Sequence, residues 1–390
     1  MSPAVYQLPD DYDSYENFLR VVHDLIKSSS PGYPYCLDAP TIGEWLHWDG
    51  IKADRQRLRV LWFETQIALR GEYDAVFKAF IKQEPHKIAK AEAGRWRIII
   101  GFPLPVQVAW QMLFGSGNRA MLENSLDIPT QFGIKLSQGY WRDYYEQWCA
   151  RGYNAGTDVS AYDFGVTWRK IRDLVLCLRY RLTRGSRKEE WYVTAFRLYE
   201  QAYVNSSILF PSGEILRLLL PAVEKSGSPN TIADNSMLRM IESVIVNLMM
   251  GVPVHPIGRF VGDDALERIP TNIDEKDYVA AYLKRGWVLK CVEQGLEFVG
   301  HLFEARGPQP LYLGKHLWNY FYTPDSILPG YLESMCRLYA KSPHLAFWIR
   351  LAENRGLNTF SPSFYRIWYD TDHDELKYLI NNLGWEAVRP

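Results

Sequence analysis

Two adjacent carboxylates stand where the sequence could hold a metal ion. Asp263 and Asp264 follow Gly262 in a stretch that reads as two short β runs folded back on a tight turn. Oxygen ligands on a rigid hairpin suit hard divalent cations, because a cation offsets the repulsion between neighbouring carboxylates. A solvated turn is the alternative interpretation of this triplet alone.

A second pair of carboxylates, Asp158 and Asp163, occurs earlier in the chain. Asp158 is placed at the end of a short predicted strand, and Asp163 at the start of the helix that Val166 to Tyr180 indicates. An Asp-x4-Asp pattern is common and means little alone. If Asp158 lies beside Asp263, however, two strands supply the acidic cage that a two-metal phosphoryl-transfer site requires.

The most basic segment of the chain, residues 80–100, could hold a polyanion. Apolar runs at its two ends predict strands, so the segment is expected to form a β-ribbon or looped finger. Its cations are Lys82, Lys87, Lys90, Arg95 and Arg97. Triphosphates and RNA are the anions that such a finger would bind. A solvated charged hairpin, diluted by Glu84 and Glu92, is the alternative.

Two loops carry polar groups that could meet a ligand. Ser28 to Tyr35 follows a helix predicted over Tyr15 to Lys27, and its prolines and glycine favour an extended path along a phosphate backbone. Ser226 begins a flexible loop before a long helix, on which Thr231 and Asn235 share one face. A plain surface loop and ordinary helix capping are the alternatives.

The elements that must position these residues belong to a mixed α+β chain. An apolar stripe predicts a helix over Arg55 to Ala79, and a hairpin is predicted over Ile208 to Leu220. The 390 residues are 47% hydrophobic and 23% charged, which indicates a globular chain of one large or two to three ordinary domains. The net charge of −1 excludes a uniformly basic surface but permits a locally basic groove.

Other patterns argue against several classes of protein. The five cysteines are scattered without a Cys-x-x-Cys pair, which indicates neither a disulfide framework nor a zinc site and suits a reducing compartment. The histidines show no metal-binding spacing, and no Gly-x4-Gly-Lys loop is present. Arg239 and Glu242 interrupt the longest apolar stretch, Met237 to Val254, so we expect a soluble protein without a membrane span.

In their order along the chain, these motifs resemble those of a viral RNA-dependent RNA polymerase. Motifs A, B and C are similar to Asp158-x4-Asp163, Ser226-Gly227-x3-Thr231-x3-Asn235 and Gly262-Asp263-Asp264. The basic segment resembles motif F, and Ser29-Ser30-Pro31-Gly32 resembles motif G. Two segments have sequences closest to those of the sobemovirus and polerovirus-like branch of positive-strand viruses, namely Lys-Gln-Glu-Pro-His and Ser-Gly-Ser-Pro-Asn-Thr. The resemblance covers Ser28 to Phe303.

This resemblance implies a right-handed polymerase fold with fingers, a palm whose antiparallel sheet is flanked by helices, and a small, mostly helical thumb. The implied domains are fingers over 1–152, palm over 153–182 and 223–304, a fingers insertion over 183–222 and a thumb over 305–390. We expect the thumb aromatic residues to pack in its core rather than stack on bases. They include Trp318, Tyr320, Phe321, Trp348 and Trp368.

The resemblance also implies residue roles in RNA synthesis with Mg²⁺, for which Mn²⁺ would substitute. The expected metal ligands are Asp158, Asp263 and Asp264. The expected general acid is Lys290, chosen over Lys284. The expected contacts to the nucleoside triphosphate are Lys82, Lys90, Arg95, Arg97, Asp163, Ser226, Gly227, Thr231 and Asn235. The expected contacts to RNA are Ser29, Ser30, Pro31, Gly32, Lys87 and His301, the last in a hairpin similar to motif E.

Two alternative functions stay open. A reverse transcriptase shares the palm but predicts a bulky aromatic residue against the ribose, whereas Asp163 and Asn235 are polar. A non-catalytic RNA-binding scaffold would have no physical need for clustered carboxylates.

The implied partners are an RNA template, the nascent RNA and nucleoside triphosphates, together with other viral replication proteins. Related viruses use a genome-linked protein as primer, and the sequence does not choose between this and primer-independent initiation. We expect a monomer in the host cytoplasm that reaches membrane-associated replication sites through partners.

Overall fold

The computed structural model describes residues 1–372 and 374–378, apart from the side chain of Cys291. The last part of the predicted thumb, residues 379–390, lies outside this description. The amino-terminal region is mostly helical. Its elements are β1 (Tyr6–Gln7), α1 (Tyr15–Asp24), α2 (Ile42–Trp45), α3 (Arg55–Leu69), β2 (Val76–Ile81), α4 (Ile88–Glu92), β3 (Ile98–Gly101), α5 (Leu104–Glu123) and α6 (Tyr140–Ala150).

The rest of the chain alternates strands and helices before a helical carboxyl-terminal region. The next elements are β4 (Ala155–Val159), α7 (Tyr162–Gly165), α8 (Trp168–Lys170), α9 (Cys177–Leu182), β5 (Thr183–Arg184), α10 (Lys188–Tyr203), β6 (Ser207–Leu209), β7 (Ile215–Arg217) and α11 (Thr231–Met249). After these come β8 (Arg259–Val261), β9 (Asp264–Glu267), α12 (Glu275–Lys284), β10 (Leu289–Gln294), β11 (Glu297–Phe298), β12 (His301–Glu304) and β13 (Gly307–Pro310). The final helices are α13 (Leu313–Tyr322), α14 (Leu328–Leu338), α15 (Leu345–Glu353) and α16 (Pro362–Asp370).

The central sheet is antiparallel and has the strand order β10-β4-β9-β8. The predicted hairpin is confirmed, because β8 and β9 pair from Val261 opposite Asp264 across the turn of Gly262 and Asp263. Asp264 is therefore the first residue of β9, whereas the sequence suggested that it lies in the turn. Neighbouring strand β4 carries Asp158, so one sheet positions all three carboxylates.

A second sheet, with the order β3-β2-β6-β7, builds the region of the basic ribbon. β2 runs antiparallel to β3 and parallel to β6, which confirms the looped finger and the predicted hairpin of β6 and β7. The helix predicted over Arg55 to Ala79 was wrong at its end, because α3 stops at Leu69. Phe77 and Ala79 are buried while Lys78 between them is half-buried, the period of two that a strand requires.

The carboxyl-terminal helices pack around their own apolar cluster, which includes Leu332, Trp348 and Tyr365. The expectation that the thumb aromatics lie in the core was wrong for two of them. Trp318 is 40% exposed and Phe321 is 74% exposed. The cause is the amphipathic pattern of α13, which turns other side chains of that helix toward the cluster.

Helix α6 belongs by sequence to the predicted fingers but packs elsewhere. Its Trp141 joins the apolar cluster of the carboxyl-terminal helices, and its Trp148 contacts Phe298 and Phe303 of β11 and β12. The boundary predicted at residue 152 stays a prediction, although the packing of α6 favours an earlier one. Within residues 1–372 and 374–378, no helix is both long and apolar enough to cross a membrane.

Candidate active site

Asp158, Asp263 and Asp264 converge at one end of the central sheet. The carboxyl groups of Asp158 and Asp263 lie within hydrogen-bonding distance of each other. Burial, and then the charge of Asp158, raise the pKa of Asp263 to about 6. Burial, and then the charges of Asp263 and Asp158, raise the pKa of Asp264 to about 7. Because like charges are held together here, a proton or a cation would relieve the repulsion.

Lys290 supplies the nearest positive charge to these carboxylates. Its Nζ donates a hydrogen bond of 2.6 Å to Oδ2 of Asp158, and the two side chains form an ion pair. The pairing of β10 with β4 shifts register between Leu289 and Cys291, so Lys290 is the extra residue of a β-bulge. Bulges re-aim side chains next to functional sites, and this one brings Lys290 to Asp158. Lys284, by contrast, is the last residue of α12 and does not belong to this bulge.

The carboxylate oxygens of this site could bind a divalent cation, although they are not already arranged as a complete set of metal ligands. Among the residues that the structure describes, no three His, Cys, Asp or Glu side chains form a ready-made metal cluster. Oδ1 of Asp158 is nevertheless buried without a hydrogen-bond partner, and Oδ2 of Asp264 accepts from the backbone N–H of Val299 at 3.1 Å. Carboxylate oxygens are the hard ligands that Mg²⁺ prefers, and a bound cation would offset the repulsion between them.

A buried arginine that the sequence analysis treated only as an interruption lies behind this site. Arg239 of α11 is 1% exposed, and its Nη2 donates to Thr157 Oγ1 at 2.6 Å and to Glu267 Oε2 at 3.3 Å. Nη1 donates to the hydroxyl of Tyr282 at 2.5 Å, and Nε approaches the carbonyl of Asp263 at 3.4 Å. One guanidinium thus ties α11, β4, β9 and α12 to the turn. A cation inside an apolar helix was the available signal.

Asp163 and Asn235 meet as the sequence predicted, from α7 and α11. Asn235 Nδ2 donates to Asp163 Oδ1 at 3.0 Å. Asn235 is 5% exposed, and its Oδ1 is buried without a partner. Burial raises the pKa of Asp163, although the nearby Asn235 and Arg97 act in the opposite direction. The pair therefore presents one unused acceptor, which a ligand hydroxyl could satisfy.

The basic ribbon holds two of its predicted cations close to an acidic partner. Arg97 Nη1 donates to Glu84 Oε1 at 2.6 Å, and Lys82 Nζ lies 3.1 Å from Glu84 Oε2. Burial alone would raise the pKa of Glu84, but the two cations lower it overall. The remaining predicted cations, Lys87, Lys90 and Arg95, lie on the exposed surface of the loop. Glu84 thus occupies the position of an anion between Lys82 and Arg97.

The loop before α11 is tied to the ribbon. Ser226 Oγ donates to the carbonyl of Ile98 at 3.1 Å, and Gly227 N donates to the carbonyl of Ile100 at 3.1 Å. That Thr231 presents its hydroxyl to a ligand beside Asn235 stays a prediction. In this structure Thr231 Oγ1 donates to the carbonyl of Lys225 at 2.8 Å and so closes the loop.

A cleft of about 1030 Å³ runs from the predicted RNA-binding loop to the loop before α11. Ser29, Ser30 and Gly32 line one side, with Pro31 between them in the chain, and Gly227 lines another. Helix α5 adds polar side chains to this cleft that were not among the predicted site residues. They are Gln107, Gln111, Asn118 and Arg119. Gln111 follows Gln107 by four residues, and Asn118 and Arg119 follow Gln111 by seven and eight, so all four share one face of an otherwise apolar helix, which was the signal.

The hairpin of β11 and β12 is confirmed, and the contact of His301 with RNA stays a prediction. Its Nδ1 donates to the carbonyl of Val299 at 2.9 Å, and its ring packs near Phe303. Burial lowers the pKa of His301, so the imidazole is neutral at neutral pH. A contact of His301 with RNA would therefore be made by a neutral ring.

Comparison with known proteins adds an independent finding. The model of the family described as viral RNA-dependent RNA polymerase matches residues 6–291. The RNA-directed RNA polymerase of Mushroom bacilliform virus is 29% identical over 356 residues, which cover 83% of this chain and 81% of that protein. Protein P2-P3 of Poinsettia latent virus is 27% identical over 365 residues, or 84% of this chain.

The chain spans only part of some relatives. It matches 31% of the Poinsettia latent virus protein and 28% of the replicase polyprotein P2AB of Southern cowpea mosaic virus, to which it is 26% identical. Among solved structures, the Sicinivirus 3Dpol RNA-dependent RNA polymerase superposes with a TM-score of 0.71 at 17% identity. This superposition covers 98% of the chain and 85% of that structure. At this identity the likeness shows a shared fold.

Proposed function

The chain belongs to the viral RNA-dependent RNA polymerase family, and from this premise we propose that it synthesises RNA from nucleoside triphosphates on an RNA template. The observation that carries the proposal is the convergence of Asp158 and Asp263, from different strands, to hydrogen-bonding distance. Asp264 lies against the same pair with its pKa raised by burial. Such a carboxylate cluster, which costs stability, is expected where a catalytic cation is used.

Polymerases of this family use divalent metal ions, and we assign Mg²⁺, with Mn²⁺ as a substitute, to Asp158, Asp263 and Asp264. The unpartnered Oδ1 of Asp158 supports this assignment. When bound, the metal supplies the Lewis acidity that activates a 3′-hydroxyl and neutralises phosphate charge. The protein itself supplies the rigid hairpin and the Arg239 network that hold the carboxylates together before a substrate arrives.

Lys290 is proposed to donate a proton to the leaving pyrophosphate. In the structure its ammonium binds Asp158 at 2.6 Å. This contact must be released for the acid to reach a phosphate oxygen, and a general acid positioned in this way typically contributes on the order of 10²–10⁴-fold to the rate. The β-bulge holds the backbone of Lys290 beside Asp158, at the edge of the site.

The triphosphate is proposed to replace Glu84 between Lys82 and Arg97. Glu84 already satisfies both cations with an anionic oxygen, and a phosphate offers more acceptors and more charge. Lys90 and Arg95 on the exposed loop, together with Lys87, extend the positive surface toward RNA and the triphosphate.

Asp163 and Asn235 are proposed to recognise the ribose. The buried, unpartnered Oδ1 of Asn235 can accept a hydrogen bond from a 2′-hydroxyl. A 2′-deoxyribose would leave this acceptor unpaired, which favours RNA synthesis over reverse transcription. The cleft lined by Ser29, Ser30 and Arg119 is the proposed path of the template.

The finer assignments of partners and location are proposals as well. RNA and nucleoside triphosphates are the proposed substrates of a monomer acting in the host cytoplasm. A genome-linked protein primer and other viral replication proteins are the proposed partners, because the replicase polyproteins P2AB of Southern cowpea mosaic virus and Cocksfoot mottle virus extend beyond the matched region.

Incorporation of labelled nucleotide on a homopolymeric RNA template tests the proposal. The parent is compared with Asp263→Ala, with and without primer, in Mg²⁺ and in Mn²⁺. We expect synthesis by the parent that the variant loses, and slower use of deoxynucleotides. Equal or faster use of deoxynucleotides would identify a reverse transcriptase instead. A folded parent without synthesis or binding of Mg²⁺ would favour the scaffold.

A further inference from the structure

Tyr162 connects the two members of the ribose-binding pair. It directly precedes Asp163 and is 4% exposed. Its hydroxyl donates a hydrogen bond of 3.1 Å to the main-chain carbonyl of Asn235. Asn235 in turn donates from its side chain to Asp163 at 3.0 Å. The phenol therefore closes a ring of contacts between α7 and α11 at the residues that meet the ribose.

The ring of Tyr162 is itself held in place by a stack. It lies nearly parallel to the indole of Trp287, with a centroid distance of 4.5 Å and an interplanar angle of 11°. Trp287 is 2% exposed. Gly165 allows this approach, because a Cβ at that position would lie 2.6 Å from the indole. The phenol thus has little freedom to leave the carbonyl of Asn235.

A half-buried amine completes the stack. Lys170 Nζ lies 3.6 Å from the centroid of the Trp287 indole. It also donates to the carbonyls of Gly165 and Arg285 at 3.2 Å each. A cation over an indole face is attractive, most of all where water is excluded. Lys170 therefore anchors the indole between α8 and the end of α12.

Trp287 also stands three residues before Lys290 in the chain. Between them, the bulged start of β10 pairs Leu289 with Val159, the residue after Asp158. The stack thus connects the ribose-binding pair with the strand that carries the proposed general acid. This connection does not require a nucleotide to contact Tyr162, Trp287 or Lys170.

We propose that Tyr162 is a positioning residue for ribose selection, which fixes Asp163 and Asn235 through its hydrogen bond and its stack on Trp287. This inference rests on the proposed polymerase function. It assigns discrimination between ribonucleotides and deoxyribonucleotides to one of the four residues that the motif Asp158-x4-Asp163 leaves unspecified. Selection then depends on the rigidity of the pair as well as on its polar atoms, because a movable pair could re-form around a deoxyribose.

The test is the ratio of kcat/KM for UTP to that for its 2′-deoxy counterpart on a poly(A) template. Tyr162→Phe keeps the ring and removes only the donor to Asn235. We expect the ratio to fall about tenfold, a typical effect for one lost buried hydrogen bond. The matched control is Tyr144→Phe. That tyrosine is 3% exposed and contacts Ser125 Oγ at 3.2 Å away from the pair, so its ratio stays parental. A ratio cancels differences in the active fraction of each sample.

A double-mutant cycle separates positioning from general loosening. In an Asp163→Ala background the pair is already broken, so adding Tyr162→Phe leaves the ratio unchanged. A second fall of the same size in that background would show that Tyr162 does not act through the pair.

A parental ratio in Tyr162→Phe overturns the proposal directly. A parent that synthesises no RNA contradicts the proposed function on which the proposal rests. If Tyr162→Phe does not fold, Trp287→Phe decides, since it shrinks the stacking surface: a lowered ratio supports the proposal and a parental one overturns it.

Discussion

At the scale of single residues, the fold holds the carboxylates of the site close together although their negative charges repel one another. Asp264 has a pKa raised to about 7 by burial and by Asp263 and Asp158. A carboxyl group whose folded pKa lies above its unfolded value binds more protons in the folded state. The free energy of unfolding of the metal-free protein therefore falls as pH rises from about 4 to about 7.

Asp264→Asn should stabilise the metal-free protein while abolishing synthesis. The amide keeps an oxygen for Val299 N and removes the buried charge. We expect the free energy of unfolding to rise by roughly 2–4 kcal/mol at pH 8, one pKa unit being worth about 1.4 kcal/mol. The gain should shrink to less than about 1 kcal/mol near pH 4, where the parent carboxyl is protonated in the folded state and about half protonated in the unfolded state. Urea denaturation at the two pH values measures it, and a gain of equal size at both would refute the charge argument.

Lys290 provides a second prediction, because its ammonium competes with a cation for Asp158. Lys290→Met should lower the Mg²⁺ concentration needed for half-maximal activity severalfold. The same change should reduce kcat at least about tenfold through loss of the proposed acid. Lys284→Met is the matched control and should leave both values parental. Loss of kcat in the Lys284 variant instead would transfer the acid role to that residue.

At the scale of elements, the contact between the loop before α11 and β3 is tight enough to be tested. A Cβ on Gly227 would lie 2.6 Å from the carbonyl oxygen of Ile100 and 3.0 Å from Cα of Gly101. Both neighbours are backbone, so the loop or the strand must move. Gly227→Ala should lower the free energy of unfolding by about 1–3 kcal/mol and weaken binding of nucleoside triphosphate.

The control for this prediction is Gly314→Ala in α13. A Cβ there meets nothing within 4 Å, so the helix preference of alanine should leave stability equal or higher by up to about 1 kcal/mol. Urea denaturation midpoints of both variants give the comparison. Equal midpoints would mean that the loop accommodates a side chain without strain.

The elements also show where sequence patterns were sufficient. The β8–β9 hairpin and α11 were predicted correctly, because a turn signal and a long apolar stripe are local properties. The strand at Val76 to Ile81 was assigned in part to a helix, since its partners β3 and β6 come from distant segments. The bulge at Lys290 and the contacts of buried Arg239 depend on several elements at once, so a local pattern could mark the arginine but not its partners.

At the scale of the whole molecule, the order of the motifs along the chain predicted the fold better than the hydrophobic pattern of any single segment did. Carboxylates about one hundred residues apart, Asp158 and Asp263, meet because β4 and β9 are neighbours in one sheet. The exposure of Trp318 and Phe321 could not be read from composition. It depends on which face of α13 the neighbouring helices cover, and only tertiary packing decides that.

The central claim is that the carboxylate site copies an RNA template. The most direct measurement uses a template of mixed sequence whose first guanosine lies at a known position, with CTP left out of the reaction. We predict a product that stops just before that guanosine and extends to full length when CTP is added, in the parent and not in Asp263→Ala. A product whose length ignores the missing nucleotide, or one that the variant also makes, would contradict the account.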